Sequence, residues 1–508
     1  MFSISRDYLV YSFIKRNSMN KSLFLFLLSV ILNSNIYPQI IPDDRRINWS
    51  PGIPGGIPEI SGPILNVINF GADLSGQHDS YPAFIKAINS LPESGGVVFI
   101  PYGTYRIDSV VRITGSNIVF RGEQSRLPKL LSYSKGNSIE IRSTKKGRWQ
   151  SLVSGYEKNS NAVKVENASD FRNYQFAEIQ QENDSLLMYT NPEWKQSWSE
   201  NSVGQIFEID SLNNNTIFLK NRLNISFSLV QKPMIRPVDM IVNTGFEDLY
   251  IEKMIAADHT FHFENTAYCW IRKVESYHTR RTHVSITASF ANEVRESYFH
   301  HSFDYGGGGS GYGVECRMHT TGTLVENNIF DSLRHAMLVQ TGANGNVFAY
   351  NYSVNPVQGE GEINLNKGWI PPDISIHGHY TFMNLFECNH VSEIGIADYW
   401  GPAGPGNTFF RNKVIDEGIF FYDQTHRQNV VGNETTAITD RDNKSRDNII
   451  KANVVNNEAV KPVPVLPVSL YLDRTPPFLK GYKWPVYGPD VTGKNKLPAQ
   501  ERYEKIIK

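Results

Sequence analysis

The sequence contains few cysteines and almost no net charge. Three cysteines occur in 508 residues, at Cys269, Cys316 and Cys388, and they are too few and too scattered for a disulfide framework or a zinc site. We expect them to be small core residues. The 50 basic and 51 acidic residues give a net charge of -1, so the chain has no field that attracts nucleic acid or an acidic membrane surface. Nucleic-acid binding is therefore not expected.

Long apolar runs are also missing after the N-terminal region. Basic residues precede one apolar stretch, residues 23–32, which is too short for a stable bilayer anchor and typical of a signal peptide. We predict residues 1–39 to be a signal peptide cleaved between residues 34 and 39, with Met19 as an alternative start. The mature protein is then secreted or periplasmic and has no stable membrane anchor.

The second half of the chain repeats a short phrase: an apolar pair, an Asn a few residues later, and another apolar residue. Clear copies lie at residues 324–329, 347–352, 408–414 and 449–454. Copies recur roughly every 20 to 33 residues, a period typical of stacked supersecondary units. The copies are rich in Val, Ile, Phe and Tyr and too short for helices, so the stacked units should be strands. This pattern predicts a parallel β-helix; the alternative is a β-sandwich with coincidental asparagines.

The Asn of each phrase has a physical place in a β-helix. A coil turns sharply between short strands, and Asn tolerates the left-handed backbone conformation while its amide can bond to the same group one coil away. We therefore expect Asn328, Asn351, Asn412 and Asn453 at equivalent corners of the coils.

Residues near the N-terminus resemble a known family. The matching segments are Ile68–Asp73, Ala83–Asn89, Gly95–Tyr105 and Val119–Gly122, and together they resemble the opening of the pectate-lyase-like superfamily, which includes polysaccharide lyases and rhamnogalacturonase/epimerase-like proteins. The resemblance implies an all-β, right-handed parallel β-helix with an N-terminal capping helix. The same fold serves lyases, hydrolases, epimerases and non-catalytic phage or adhesin proteins, so the resemblance does not select the reaction.

The repeated Asn phrase is absent from the middle of the chain, where alternating strands and polar turns predict a small β-rich insertion. This insertion either helps to bind glycan or forms one side of a substrate-binding groove on the β-helix. The predicted organisation after the signal peptide is a Pro/Gly linker at 40–63, the cap and first coils at 64–124, the insertion at 125–235, the β-helix core at 236–460, and an extended Pro-rich tail at 461–508.

Histidines are concentrated in the strand stack: all but one of the 13 lie between His259 and His426. Neighbouring residues of a strand face opposite sides. The residues that we expect to face the interior are Val284, Ile286, Val314, Cys316, Ala336, Leu338, Ile374 and Ile376. The residues on the opposite side then form one outer column, which contains His283, Ser285, Thr287, Glu315, Arg317, His319, His335, Met337, Val339, Asp373, Ser375, His377 and His379.

An outer cluster of His, Arg and Glu has the groups that β-elimination needs. A base removes the proton next to a uronate carboxylate, and a positive group neutralises that carboxylate. We predict Arg317 as the carboxylate clamp, His335 or His283 as the base, Glu315 as an orienting group and His377 as a further catalytic candidate. The predicted substrate-binding residues are His319, Tyr312, Asp373, His379, Asp398, Tyr399 and Trp400.

These features predict a monomeric, secreted lyase that cleaves an acidic, uronate-containing polysaccharide. One alternative is a glycoside hydrolase that uses two carboxylates from Glu315, Asp373, Asp398 and Asp423; another is a non-catalytic glycan-binding surface protein. No cofactor is required in this interpretation. Ca²⁺ is an open alternative because Glu315, Asp373, Asp398 and the histidines can hold a cation, although no ligand spacing selects one.

Overall fold

The computed structural model describes residues 40–190, 195–357, 371–398, 400–459, 462 and 464–508. The predicted signal peptide lies outside the described residues. The chain divides into two compact units, and one of them comprises residues 41–464 and 468–508. Of the described residues, the other unit contains only residues 40 and 465–467. Every element reported below belongs to the first unit.

Most described strands form one long sheet, in which strands pair in parallel with the equivalent strand of the next coil. The exception is the final strand, Glu458–Ala459, which pairs antiparallel with Val454–Val455. The pairings form three series, called faces A, B and C. Face A contains Val111–Ile113, Ile139–Arg142, Phe261–Glu264, Thr282–Thr287, Tyr312–Arg317, His335–Val339, Ile374–Ile376, the ends of His390–Ile396 and Lys413–Phe421, and Ile438–Asp440.

Faces B and C share two long strands that bend from one face to the other, Gly245–Lys253 and Trp270–Tyr277. Face B also contains Ser75–Asp79, Thr104–Ile107, Lys129–Ser132, Tyr298–His300, Ile329–Asp331, Tyr352–Val354, the starts of His390–Ile396 and Lys413–Phe421, Glu434–Thr435, Val454–Val455 and Glu458–Ala459. Face C also contains Ile64–Asn66, Gly96–Ile100, Ile118–Gly122, Glu293–Arg295, Leu324–Glu326, Val347–Ala349, Leu385–Glu387, Thr408–Phe410, Asn429–Val431 and Ile449–Lys451. The predicted parallel β-helix is confirmed.

The core runs along the inside of the coils, where equivalent residues stack on one another. Ile286 aligns with Cys316, Cys316 with Val339, and Val339 with Ile376, and all four side chains are buried in one apolar cluster. The inward direction predicted for Ile286 and Cys316 is confirmed. All three cysteines are buried and unpaired.

The alternation predicted for strand His335–Val339 is wrong for its last three residues, although Ala336 lies in the core as expected. Met337 and Val339, expected outside, align with Val314 and Cys316 and belong to the core, whereas Leu338, expected inside, aligns with Glu315. Because the side-chain period of a strand is two, an error of one residue in phase exchanges the two sides.

A ladder of asparagine side chains runs along one corner of the coils, as predicted. The residues are Asn328, Asn351, Asn389, Asn412, Asn433 and Asn453, and each carboxamide donates to the carboxamide oxygen of the next at 3.0 to 3.1 Å. The left-handed backbone, however, belongs to the preceding residue, for example Tyr350 with φ 56° and Arg411 with φ 54°. The asparagines themselves therefore serve the amide ladder.

A second amide ladder lies at the other end of the face C strands. Asn346, Asn384 and Asn407 are linked through carboxamide bonds of 3.0 and 2.9 Å, and Gln428 accepts the next at 3.0 Å. All the amides in both ladders are buried. The short strands of face C are thus held at both corners.

The remaining elements are the cap, the insertion and the termini. The helices are Tyr81–Asn89, Ser185–Met188 and Pro498–Ile506, and the short 3₁₀ turns are Asp43–Arg45, Val67–Phe70, Ala168–Phe171, Ser197–Ser199, Leu229–Gln231 and Pro477–Leu479. Helix Tyr81–Asn89 buries Ala83, Phe84 and Ala87 against the β-helix core, which confirms the capping helix. No helix within the described ranges has the length and apolar character needed to cross a membrane.

The insertion is a six-stranded antiparallel sheet with its own apolar core. Its strands are Gln150–Ser151, Ala162–Lys164, Phe176–Gln180, Gly204–Asn213, Thr216–Leu219 and Met234–Val238; a separate parallel pair joins Ile241–Val242 to Thr266–Ala267. The insertion was predicted to begin at residue 125, but strands Lys129–Ser132 and Ile139–Arg142 pair with coils of faces A and B. Their inward residues, such as Leu130 and Ile141, fill the β-helix core.

Both ends of the described chain lie against the coils. Trp49 and Ile53, in the predicted linker, donate to the Met383 carbonyl at 2.7 Å and to Glu293 at 2.8 Å. The tail is not extended throughout, because helix Pro498–Ile506 begins at a proline and packs Ala499 and Tyr503 on Ile329 of face B.

His319 makes one of several buried contacts between the insertion and the coils. His319 contacts Glu178 of the insertion at 2.7 Å and the Asn201 carbonyl at 2.7 Å. Burial acts to raise the pKa of Glu178, but the hydrogen bond and charge of His319 and the charge of Arg236 outweigh burial and hold the pKa at about 2.

We expect Asn351→Ala to lower the free energy of unfolding by about 3 kcal/mol, because it leaves the Asn328 amide and the Val325 carbonyl buried without their partner. Thermal unfolding followed by circular dichroism measures the loss. The control is Asn213→Ala on the exposed insertion surface, which should change stability by less than about 0.5 kcal/mol. Equal effects of the two substitutions would contradict a structural role for the ladder.

We expect Glu178→Gln to destabilise the protein by on the order of 3 kcal/mol at neutral pH. The folded pKa of Glu178 is depressed, so its contribution is present above its ordinary value of 4.5 and disappears as the pH falls toward about 2. Denaturation curves of wild type and variant should therefore converge below pH 4.5. The control is Glu182→Gln, since Glu182 pairs with Lys232 on the surface. A difference that does not change with pH argues against the ionised pair.

Candidate functional site

A cleft of about 310 Å³ lies on the outer side of face A. Within the described part of the chain, its lining contains three arginines, one carboxylate, one imidazole, a tyrosine, two tryptophans, a glutamine and three glycines. They are Arg281, Arg317, Arg334, Glu315, His377, Tyr312, Trp198, Trp400, Gln340, Gly307, Gly308 and Gly309. Three of these residues lie in face A strands and four directly flank such strands, whereas Trp198 comes from the insertion.

Three of the lining residues form a column across successive coils. Arg317 ends strand Tyr312–Arg317, and Gln340 and His377 directly follow the aligned strands His335–Val339 and Ile374–Ile376. Adjacent strands lie about 4.8 Å apart, so the Arg317 and His377 positions are separated by roughly 10 Å. A single sugar chain can therefore contact both side chains.

Glu315 is held beside Arg317. Ser285, on the preceding coil, donates to Glu315 Oε1 at 2.7 Å, and Arg317 Nη1 lies 3.7 Å from the same oxygen. The Glu315 side chain is buried, whereas that of Arg317 is partly exposed. Glu315 thus orients the guanidinium of Arg317 toward the cleft.

His377 contacts a carboxylate through its Nδ1. The partner is Asp398, which also accepts a hydrogen bond from the Trp400 backbone amide at 3.0 Å. In the tautomer whose Nδ1 proton faces the carboxylate, Nε2 keeps a free electron pair. The His377 ring lies 6.4 Å from the rings of Tyr312 and Trp400. His377 therefore has the arrangement of a general base.

Tyr312 is a buried phenol next to a cation. Its hydroxyl accepts a hydrogen bond from Arg334 Nη1 at 3.1 Å. Burial raises the pKa of Tyr312 to about 12, against the opposing effect of Arg334 and with support from Glu315 and Asp398. The phenol consequently stays protonated through the neutral and mildly alkaline range and can donate a proton.

His283 does not face the cleft, which corrects its prediction as an outer base. It is fully buried; its ring nitrogens lie 2.8 Å from Ser276 Oγ and 3.1 Å from the His301 carbonyl. Burial holds the pKa of His283 well below its usual range. The equivalent positions of the next two coils hold the small residues Gly313 and Ala336, which leaves room for an inward ring.

His335 lies behind the cleft and is not among its lining residues. The ring is buried, Nδ1 is 2.8 Å from the Pro372 carbonyl, and burial holds its pKa well below the usual range. Its ring centroid is 5.1 Å from that of Tyr312 and 6.0 Å from that of His377. His335 therefore supports two residues of the cleft and does not reach into it.

Three predicted substrate contacts have other partners. His319 binds Glu178 as described above. Asp373 is buried and accepts bonds from Ser353 and from the backbone amides of residues 392 and 393, so it fixes the backbone next to its strand. His379 is buried against Trp198, with ring centroids 4.7 Å apart. Burial lowers the pKa of His379 to about 4.

The other predicted contacts lie in or beside the cleft. Tyr312 and Trp400 line it, and Asp398 touches it through His377. Tyr399 lies outside the described residues.

Four lining residues were missed by the sequence reasoning: Arg281, Arg334, Gln340 and Trp198. The strand register steps by 23 residues between these coils, as in Cys316 to Val339. The spacing of Asn328 and Asn351 in the sequence already gives this coil length. Adding 23 residues places Gln340 in register with Arg317, and Arg334 in register with Gly311. Trp198 has no comparable signal.

No set of three or more His, Cys, Asp or Glu side chains within the described ranges is arranged to hold a metal ion. Of the carboxylates considered for Ca²⁺, Glu315 pairs with Arg317, Asp398 with His377, and Asp373 with Ser353 and the backbone. These residues do not form a common ligand set.

Solved structures similar to this chain include β-helix proteins of phages. The chain is 11% identical to the gp54 tailspike of Acinetobacter baumannii bacteriophage AP22, solved with an A. baumannii capsular saccharide, with a TM-score of 0.53 over 73% of this chain and 58% of that chain. It is 14% identical to the tailspike protein gp49 of Pseudomonas phage LKA1, with a TM-score of 0.48 over 73% of this chain and 64% of that one. The chain thus spans less than two thirds of either tailspike, and likeness at this identity concerns the fold alone.

Sequence comparison with families adds one finding. No curated protein matches the chain. Residues 64–222 match the sequence model of the family described as rhamnogalacturonase A/epimerase, pectate lyase-like. Over that part of the chain, the match confirms the pectate lyase-like resemblance expected from the first coils.

Proposed function

We propose that the protein is an enzyme that cleaves an acidic, uronate-containing polysaccharide by β-elimination in the cleft on face A. The observation that carries this proposal is the convergence of Arg317, the His377–Asp398 pair and the protonated phenol of Tyr312 on one cleft. These groups supply the three functions that the reaction needs: a carboxylate clamp, a base and an acid.

The first step is removal of the proton next to the uronate carboxylate. Arg317 pairs with the carboxylate and stabilises the negative charge that develops there when the C5–H bond breaks. His377 Nε2 takes the proton, and Asp398 stabilises the imidazolium that results. The base proposed here is His377, because His283 and His335 are buried away from the cleft surface.

The second step is departure of the neighbouring sugar. The electron pair left at C5 forms the C4–C5 double bond as the bond from C4 to the glycosidic oxygen breaks. Tyr312 donates its proton to that oxygen, and Arg334 stabilises the phenolate through its hydrogen bond. The products are an unsaturated uronide and a chain with a free hydroxyl, so protons and electrons balance.

Trp198 and Trp400 suit a role in holding sugar rings. Both line the cleft, with ring centroids 5.5 Å apart and an interplanar angle of 70°. Tryptophan offers a large apolar face that packs on the C–H side of a sugar. This arrangement supports a polysaccharide ligand, and the saccharide in the gp54 tailspike complex is in keeping with a β-helix surface as a glycan site.

Hydrolysis is less well supported by the carboxylates. Hydrolysis by this class of mechanism uses two carboxyl groups on either side of the bond, but Glu315 is the one carboxylate among the described lining residues. Asp398 binds His377, Asp373 binds its own strand region, and Asp423 accepts a bond from Thr190. The third possibility, a glycan-binding protein without activity, predicts binding without any product.

A screen of alginate, pectins, ulvan and glycosaminoglycans tests the reaction class. Ultraviolet absorbance of the conjugated uronide and the number of reducing ends are measured together, with and without Ca²⁺ and a chelator. Elimination gives both signals, hydrolysis gives reducing ends alone, and a binding protein gives neither.

On the polymer that is cleaved, we expect Arg317→Ala and His377→Ala each to lower kcat by about a hundredfold or more, because each removes charge stabilisation or proton transfer in the transition state. The rate of increase of absorbance gives kcat. Arg280→Ala is the control, since Arg280 is exposed, adjacent in sequence to a lining arginine and absent from the cleft lining. Near-normal rates in both cleft variants would place the chemistry elsewhere on the β-helix.

The pKa of Tyr312 predicts the alkaline limit of the reaction. A proton donor must be protonated, so its contribution is lost only as the pH rises through about 12, above the usual tyrosine value of 10. Initial rates should therefore show no alkaline decline between pH 9 and 11, provided that circular dichroism shows folded protein. Tyr312→Phe should lower kcat by about a hundredfold. A decline near pH 10 in the wild type would argue against Tyr312 as the acid.

A further inference from the structure

We infer that the cleft contains a second anion-binding subsite, formed by Arg281 beside the glycine loop 307–309, which binds an anionic group on a sugar neighbouring the reacting uronate. The inference deepens the proposed function and rests on the same cleft. It predicts a substrate that carries anionic groups on adjacent sugars.

Arg281 is a cation of the cleft lining to which the described residues supply no carboxylate partner. Among the described lining residues the one carboxylate is Glu315, and Glu315 lies beside Arg317 and not beside Arg281. No ion pair of Arg281 is found among the residues that the structure describes, and its buried Nε has no hydrogen-bond partner there. The Arg281 side chain is partly buried, and a guanidinium without a partner forms strong charge-assisted hydrogen bonds with an anion, so an anionic ligand at this position gains from pairing with Arg281.

Arg281 and Arg317 approach the cleft from opposite ends of the strands. Arg281 directly precedes strand Thr282–Thr287, whereas Arg317 aligns with Thr287 at its far end. Six residues at about 3.3 Å each place the two backbone positions roughly 20 Å apart. Because Arg317 lies beside Glu315 whereas Arg281 lies beside Gly309 of the loop, we assign Arg281 to a different anionic group from the one that Arg317 binds.

The glycine loop keeps the Arg281 guanidinium uncovered. A side chain on Gly309 would lie 3.1 Å from Arg281 Nη2, and Gly309 has a φ of 83° that other residues rarely adopt. Asp304 fixes the loop by accepting bonds from the Gly306 amide at 2.8 Å and from Ser310 Oγ at 3.1 Å. The loop therefore presents Arg281 to the cleft with little side chain in front of it.

The ligand chemistry follows from the guanidinium. Its planar fork donates two parallel hydrogen bonds to a carboxylate or to a sulfate oxyanion. Two kinds of polymer supply such a group beside a uronate: a sulfated uronan and a homopolymer of uronates. A polymer in which uronates alternate with neutral sugars lacks the group and should bind more weakly.

Binding is measured by titration calorimetry in a His377→Ala background, so that the polymer survives. Two matched pairs serve as probes: chondroitin sulfate against desulfated chondroitin, and polygalacturonate against methyl-esterified pectin. We expect at least one charged member to bind about tenfold or more tightly than its neutralised counterpart, and Arg281→Gln to reduce that ratio by about tenfold. The pair that responds identifies sulfate or carboxylate as the natural group.

The control is Arg280→Gln, which removes the same charge from an exposed neighbour outside the cleft and should leave the ratio unchanged. Arg281→Lys keeps the charge without the fork and should restore part of the ratio. An unchanged ratio in Arg281→Gln, an equal drop in Arg280→Gln, or no binding of either charged polymer overturns the inference. Cleavage is measured separately with the enzyme that retains His377. If the protein binds the charged polymer more tightly but produces no absorbance change, the proposed β-elimination is overturned and the proposed anion-binding subsite is retained.

Discussion

The register of the coils depends on buried carboxamides that bond to their equivalents one coil away. From Asn328 to Asn433, every side chain of the ladder donates to the carboxamide of the next, and the last, Asn453, donates to the Val430 carbonyl. A slip of one residue would leave these polar groups unpaired in the interior, where each costs on the order of 1 to 3 kcal/mol. The ladder thereby decides which residues of face A point outward, and the column of Arg317, Gln340 and His377 exists because that register is fixed.

Much of the fold could be predicted because its signals are repeated. The Asn phrase occurs in several coils, and the cap helix combines an apolar face with a resemblance that extends over the first coils. Features without a repeated sequence signal were harder to predict. The left-handed corner residue precedes the Asn, as at Tyr350 and Arg411, because the turn geometry and the amide bond fall on different residues. The start of the insertion was misplaced since Leu130 and Ile141 lie in short, separated strands that offer little periodicity.

Residues of the candidate site could be predicted from the sequence only where alternating polar and apolar residues showed which side of the strand faces outward. Polar and apolar residues alternate in strand Tyr312–Arg317, so the outward direction of Glu315 and Arg317 could be read. Strand His335–Val339 has four apolar residues in succession, and there only the 23-residue coil length defines the phase. His283 shows a different limit, because a histidine bonded inside a core and one facing solvent have the same sequence pattern. Trp198 reaches the cleft through docking of the insertion, a tertiary contact that no local pattern encodes.

The place of the insertion in the chain affects how the molecule assembles. Strand Ile139–Arg142 pairs directly with strand Phe261–Glu264, although the whole insertion lies between them in sequence. The entropic cost of closing a loop rises with its length, by about 0.6 kcal/mol for each doubling of a flexible loop. The later coils are joined by much shorter connections, so their contacts are local and form more readily. Such an arrangement favours assembly that begins in the C-terminal coils. The pairing of Ile139–Arg142 with Phe261–Glu264 is then one of the last parts of the β-helix to form.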